Sequence, residues 1–194
     1  MEYLKLGILW LLFFVPHSLL AANGIKENLC KRLPFLKRSY RFFYNLQSLF
    51  FFAWAFYFQR SITPLFLFEP IPILQGIALF FMGVGLTLML LSFKNYSAKE
   101  FVGIQQWRQQ TFNPALSETL NTSGLNQYVR HPLYTASFLF LWAYLLYQPH
   151  YANMLFVTLS SLYLVAGTYL EEQKLIKQFG QEYKDYQEKV GRFL

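Results

Sequence analysis

The chain has 194 residues, of which 55% are hydrophobic, 21% aromatic and only 14% charged. Soluble domains carry about a quarter charged residues, so the composition excludes a water-soluble globule and a disordered chain, and a single cysteine, Cys30, excludes a disulfide scaffold. The net charge of +7 would suit a nucleic-acid binder, but it is spread between apolar runs and no nucleic-acid motif accompanies it.

Residues 3–22 form the first apolar run of membrane-spanning length, with Lys5 near its outer end and His17 further along. Lys5, the apolar stretch and Leu20-Ala21-Ala22 also fit a cleaved secretory signal, although Pro16-His17 and the length of the run suit a retained helix. A basic loop follows over 23–41, holding Lys26, Lys31, Arg32, Lys37, Arg38 and Arg41. Residues 42–58 are dense in Phe and uncharged, and 70–93 carry no charge at all, so 1–93 read as three N-terminal spans. Segment 94–132 is the longest polar stretch, too long to lack both structure and function. Within it, 98–109 predicts a short helix on the membrane surface, and Asn113-Pro114 and Asn121-Thr122-Ser123-Gly124 predict turns. Residues 133–170 are too long for one crossing, and Tyr147-Gln148-Pro149-His150-Tyr151 divides them into a short fourth span, 133–147, and a fifth, 151–170. In the tail, Leu175, Phe179, Tyr183, Tyr186 and Val190 fall on one helical stripe. Gly180 interrupts it, either inside a helix at a cost of about 1 kcal/mol or as a turn.

The expected fold is therefore all-α: a single multi-pass membrane domain of about five transmembrane helices plus a cytosolic C-terminal amphipathic helix. Fifteen of the 17 basic residues lie in 23–41, 94–132 and the tail, which are alternate connections of five spans and so share one side; Lys5 and Arg60 fall on the other. Excess Lys and Arg mark the cytoplasmic side, which puts the N-terminus outside and the C-terminus inside, in a bacterial inner membrane or a eukaryotic endoplasmic reticulum or nuclear envelope. The lipid bilayer is the first expected partner; oligomeric state is not legible, though Gly83 and Gly85 would allow close helix approach.

The common chemical signatures are missing: no P-loop, no His-Glu-x-x-His, no Cys-x-x-Cys and no Gly-x-Ser-x-Gly. His17, His131 and His150 are far apart in sequence, so no metal is expected. Polar residues gather instead at the cytoplasmic edge. Tyr128, Arg130, His131 and Tyr134 stand where the fourth span begins, and Glu171-Glu172 where the fifth ends. An antiparallel hairpin brings the two groups to one membrane face, where cations and carboxylates together make a zwitterion site plausible. Taken singly, Arg130 could be a headgroup anchor and the acids a solvated helix end, although carboxylates at a helix C-terminus oppose its dipole. His17 is either a packing residue or a functional intramembrane group.

Gly124 to Tyr134, read through Arg130-His131-Pro132-Leu133-Tyr134, resembles the Arg-His-Pro-x-Tyr motif of integral-membrane S-adenosylmethionine methyltransferases, which include the isoprenylcysteine carboxyl methyltransferases and phospholipid methyltransferases. The second half of the pattern follows in Glu171-Glu172-Gln173-Lys174-Leu175, Phe179-Gly180, Tyr183, Tyr186, Val190 and Arg192-Phe193. His17 to Ala21, Lys26, Tyr40-Arg41, Tyr44-Asn45 and Phe101 to Trp107 are similar to the branch of methanethiol S-methyltransferases, NnrU-type proteins and nurim. Asn126 stands where the family often has Tyr, and Ala136 where it often has Gly, an added methyl that would crowd a cofactor close to the backbone.

The resemblance implies S-adenosyl-L-methionine as cofactor and methyl transfer to a small or lipophilic acceptor, a thiol for preference. Carboxyl methylation of a prenylated cysteine, phospholipid amine methylation and a non-catalytic nurim-like role are the alternatives. The cofactor-binding residues it implies are Tyr128, Arg130, His131, Pro132, Tyr134, Glu171, Glu172, Leu175 and Phe179. Arg130 would clamp the cofactor carboxylate bidentately, the acids would accept from its ammonium or ribose, and Leu175 and Phe179 would wall the adenine. His17, Arg130 and Glu172 are the catalytic candidates, and the choice of base among His17, His131 and a Tyr stays open.

Overall fold

A computed structural model describes residues 1–93 and 119–193. These fall into two compact units, one of residues 1–65 and one of 66–93 with 119–193. The surface helix expected over 98–109 and the Asn113-Pro114 turn lie outside the described residues.

The first unit holds α1 (Glu2–Ala21), α2 (Asn23–Arg32) and α3 (Leu36–Ser61). The stretch expected as an open basic loop is mostly helical. Lys31 and Arg32 occupy the last turn of α2, where cations complement the helix dipole. The Phe-rich run is only the middle of α3. Tyr40 ties the turn back to α1: its hydroxyl donates to the Leu20 carbonyl at 2.7 Å, and Lys26 lies over its ring. Along the pair, the buried Trp10 indole donates to Gln59 Oε1 at 2.9 Å, and Phe52 meets the Trp10 and Phe13 rings edge-on.

The second unit holds α4 (Pro72–Phe93), a 3-10 turn (Gly124–Gln127), α5 (Pro132–Tyr147), α6 (Tyr151–Phe179) and α7 (Gln181–Lys189). Helix α4 packs along α5 and belongs to the same compact unit as the C-terminal helices. Gly85 is what permits the approach. A Cβ there would lie 3.0 Å from the Phe140 nitrogen and 3.1 Å from the Ala136 carbonyl oxygen, both backbone atoms. Ala136 is fully buried, and its carbonyl stands at this crossing. The hairpin turn falls where Pro149 predicts it. Asn153 holds it by donating to the Gln148 carbonyl at 2.8 Å while its amide N–H meets His150 Nδ1.

Among the described residues, α1, α4 and α6 are long and apolar enough to cross a membrane. At 1.5 Å per residue α4 rises about 33 Å, enough for a hydrocarbon core of about 30 Å. Its large side chains, Ile73, Phe80 and Leu90 among them, are exposed in the isolated chain, an apolar surface that lipid and not water can solvate. Helix α5 is apolar but only 16 residues long, about 24 Å. Helix α3 has the length, but Tyr44, Asn45, Gln47 and Ser48 dilute its Phe. Helix α6, at 29 residues, rises about 44 Å, so its last turns outrun the core and carry Glu171 and Glu172 beyond the apolar part. Gly180, at φ 58°, ends it: the tail is two helices joined by a turn, not one continuous stripe.

Candidate functional site

The site grows from the residue before Pro132. Pro at the first turn of α5 suits a helix start, and it keeps the residue before it, His131, out of the helical conformation, at φ −124° and ψ 67°. The N–H groups of Arg130 and His131 thus stay outside the helix, and residues 191–192 supply their acceptors. Arg130 N donates to the Gly191 carbonyl at 2.9 Å and His131 N to the Arg192 carbonyl at 3.3 Å, in parallel register. Phe193 packs edge-on against Phe138 of α5 and seals the strap.

Glu172, nearly fully buried on α6, is the centre. Its Oε1 accepts from Arg130 Nε at 3.0 Å, Arg130 Nη2 at 2.9 Å, His131 Nε2 at 3.2 Å and Arg192 Nε at 3.2 Å. Its Oε2 accepts from Arg192 Nη2. Arg130 also donates through Nη1 to the Gln187 and Val190 carbonyls. Four of its five N–H groups are therefore committed within the protein, and its side chain is only 9% exposed. Arg192, by contrast, is 36% exposed and spends two of its five. Breaking a buried ion pair by removing one partner costs about 3–5 kcal/mol, so this cluster is a structural pin as well as a charged site.

Burial holds the His131 pKa below its ordinary value against the pull of Glu171 and Glu172, so the ring is neutral and its proton sits on Nε2, facing the carboxylate. Glu171 Oε2 lies 3.8 Å from the other ring nitrogen, too far for a hydrogen bond, and is largely solvated. The Glu172 hydrogen bond raises the Arg192 pKa above the usual guanidinium value. Tyr183 of α7 is 1% exposed, and its hydroxyl has no hydrogen-bond partner among the described residues. Burial, reinforced by the charge of Glu172, pushes that phenol up to about 12. Tyr186, its ring neighbour, donates instead to the Asn126 carbonyl, and burial raises its pKa too.

The sequence-predicted residues thus divide. Arg130, His131, Glu171 and Glu172 come together as expected from the hairpin. Tyr134 meets the His131 ring edge-on at 5.5 Å and lies over Gly167 of α6. Leu175 and Phe179 follow one and two turns beyond the acids, half-buried, and Tyr128 is largely exposed. His17 lies in the other unit. Its Nδ1 is 2.9 Å from Ser48 Oγ, and the Tyr44 hydroxyl is 2.8 Å from Nε2 and 3.1 Å from Nδ1. Ser48 spends its proton on the Tyr44 carbonyl, so proton counting makes Nδ1 a donor and leaves Nε2 to accept from Tyr44. Both nitrogens are engaged in holding α1 to α3. Sequence reasoning placed neither Arg192 nor Tyr183 in the site, although both stand in the motif's second half; nothing in linear spacing shows that residues 190–193 return to the start of α5.

Comparison with known proteins matches residues 5–192 to the family described as NnrU protein. Among curated relatives, a methanethiol S-methyltransferase of Pseudomonas sp. strain GM41 is 32% identical over 195 residues, covering 95% of this chain and 70% of the relative. A methanethiol S-methyltransferase of Pseudomonas deceptionensis is 31% identical over 118 residues, covering 60% of this chain and 43% of the relative. Methanethiol S-methyltransferase 1 of Bradyrhizobium diazoefficiens is 33% identical over 73 residues, covering 38% and 25%. No solved structure matches the chain.

Proposed function

This chain belongs to the NnrU family, and we propose that it is an integral-membrane methyltransferase that uses S-adenosyl-L-methionine and methylates a small thiol. The observation that carries the reading is the buried Glu172, joined by Arg130, His131 and Arg192 where α5 begins and α6 leaves its apolar stretch. The relatives named as thiol methyltransferases favour that acceptor over a prenylcysteine carboxylate or a phospholipid amine. The orphaned Tyr183 hydroxyl beside the cluster is a test of fit. A buried donor left unpaired costs about 1–3 kcal/mol, and the site's acid, imidazole and phenol suit a ligand with an ammonium, a carboxylate and hydroxyls.

When bound, the cofactor supplies an electrophilic methyl group on a sulfonium. The chain's own residues bind and align. Glu171 and Glu172 would favour a cationic cofactor over its uncharged-sulfur product, Pro132 and Tyr134 would border it where α5 begins, and Leu175 and Phe179 would hold its adenine. Arg130 acts at this site chiefly by holding Glu172 and the chain's end in position. In-line methyl transfer needs little beyond alignment and exclusion of water. Deprotonating a thiol needs an acceptor, and neutral His131 is the group of the cluster that can take a proton. The orientation that goes with this reading has five crossings, the N-terminus outside and the site facing the cytoplasm, following the distribution of Lys and Arg.

Calorimetry of the detergent-purified protein with S-adenosylmethionine tests the reading together with transfer of labelled methyl to methanethiol, farnesylcysteine and phosphatidylethanolamine. Saturable heat and label in the thiol arm are expected. Label in lipid alone rejects the thiol, and absence of heat supports a non-catalytic membrane protein.

A further inference from the structure

Charge is unevenly distributed along the chain. Residues 23–41 hold six Lys and Arg against one acid, Glu27, whereas 171–189 hold four against five acids. Between α2 and α3 the chain turns over Leu33, Pro34 and Phe35. Leu36 N donates to the Leu33 carbonyl at 3.0 Å and Lys37 N to the Pro34 carbonyl at 3.2 Å, which fixes the corner. The corner gathers Lys31 and Arg32, at the end of α2, with Lys37, in the first turn of α3. All three side chains are exposed, and none forms an ion pair among the described residues, with Glu27 or any other acid. Lys26, by contrast, turns over the Tyr40 ring. Beside the three cations lies apolar surface that water solvates poorly. Phe35 is 64% exposed and meets Phe43 edge-on at 6.4 Å, and Phe43 meets Phe42 at 5.6 Å, both of them exposed as well. Phe42 begins the apolar middle of α3, five residues beyond Lys37, about 7.5 Å of helical rise. Cations at the end of an aromatic face have the order of a lipid interface, headgroup first and acyl chain beyond.

We propose that the corner between α2 and α3 binds an anionic phospholipid, with Lys31, Arg32 and Lys37 on the headgroup phosphate and Phe35, Phe42 and Phe43 along the acyl chains. The Arg32 guanidinium can meet two phosphate oxygens at once, and the two ammonium groups add point charges. A zwitterionic headgroup carries its own cation beside the phosphate, which these side chains would repel. A headgroup of net negative charge is the complement of a corner with cations and no paired acid. A soluble phosphate would answer the cations and leave the rings in water, so the occupant is a lipid. The inference is independent of the methyl-donor reading and needs only that the first unit lies in a membrane.

The test titrates the whole 194-residue chain, immobilised in maltoside micelles, with dioleoyl-phosphatidylglycerol or dioleoyl-phosphatidylcholine, and measures retained lipid by mass spectrometry. Each cation near an anionic surface is worth about fivefold in affinity, so the unmodified protein is expected to prefer phosphatidylglycerol by about tenfold or more. Combining Lys31→Gln, Arg32→Gln and Lys37→Gln is expected to abolish most of that preference. Combining Lys177→Gln, Lys184→Gln and Lys189→Gln removes the same charge from the balanced stretch and is expected to keep it. Phe35→Ala is expected to weaken both lipids alike. Equal binding of the two lipids by the unmodified protein, or equal loss of preference in the two triple variants, overturns the proposal. So does a preference that persists at about 1 M salt, where the screening length is about 3 Å. Inorganic phosphate at the lipid's concentration is expected to leave the lipid bound; displacement by it would assign the cations to a free anion and overturn the lipid.

Discussion

Replacing Arg130 with Lys separates a pin from a ligand clamp. The guanidinium makes two bonds to Glu172 and two to the Gln187 and Val190 carbonyls from one rigid plane. An ammonium has three N–H groups on one atom and cannot span the carboxylate and both carbonyls. At least one charge-assisted bond is lost, worth about 1.5–3 kcal/mol, so Arg130→Lys is expected to cost about 2 kcal/mol locally. Since each 1.4 kcal/mol is tenfold in an equilibrium, the segment 181–193 opens roughly 30-fold more often. Arg130→Ala, which removes the buried partner of Glu172, is expected to exceed a hundredfold, from about 3–5 kcal/mol. Native-state hydrogen exchange on ligand-free protein reads this directly, in the amides of α7 and of Arg130 and His131. Unchanged protection over 181–193 in both variants would refute the reasoning, because a residue that only clamps a ligand leaves ligand-free exchange alone.

Two further outcomes follow from packing and from charge. Gly85→Ala puts a methyl 3.0 Å from the Phe140 backbone, whereas Gly83→Ala meets nothing within 4 Å. Thermal unfolding is expected to place Gly85→Ala below Gly83→Ala by about 1–3 kcal/mol, the usual cost of overpacking, and equal stability would show that α4 and α5 do not meet at that point. Burial lowers the His131 pKa, so the unfolded chain takes up that proton first. The histidine's contribution to stability is intact above its ordinary value of 6.5 and is lost as pH falls below it. Melting temperature against pH should show this step in the unmodified protein and lose it in His131→Gln; stability that rises on acidification through this range contradicts it.

Much of this protein is written in its one-dimensional pattern. Runs of apolar residues of bilayer length locate α1, α4 and α6 because a helix needs a set number of residues to cross lipid, and Pro149 places the hairpin turn because it removes a donor where the chain must reverse. The meeting of Arg130 and His131 with Glu172 follows, since an antiparallel hairpin returns its end to its beginning. Three features needed the tertiary structure. Whether Gly180 bends or sits mid-helix depends on where α7 packs, which local propensity does not encode. That α4 lies with α5 depends on two helix backbones meeting at Gly85, a contact between residues far apart in sequence. The last is the division of labour between the two arginines: both are Arg in a basic, aromatic tail or loop, and only the return of residues 190–193 to the start of α5 commits Arg130 to the fold and leaves Arg192 the more exposed of the two.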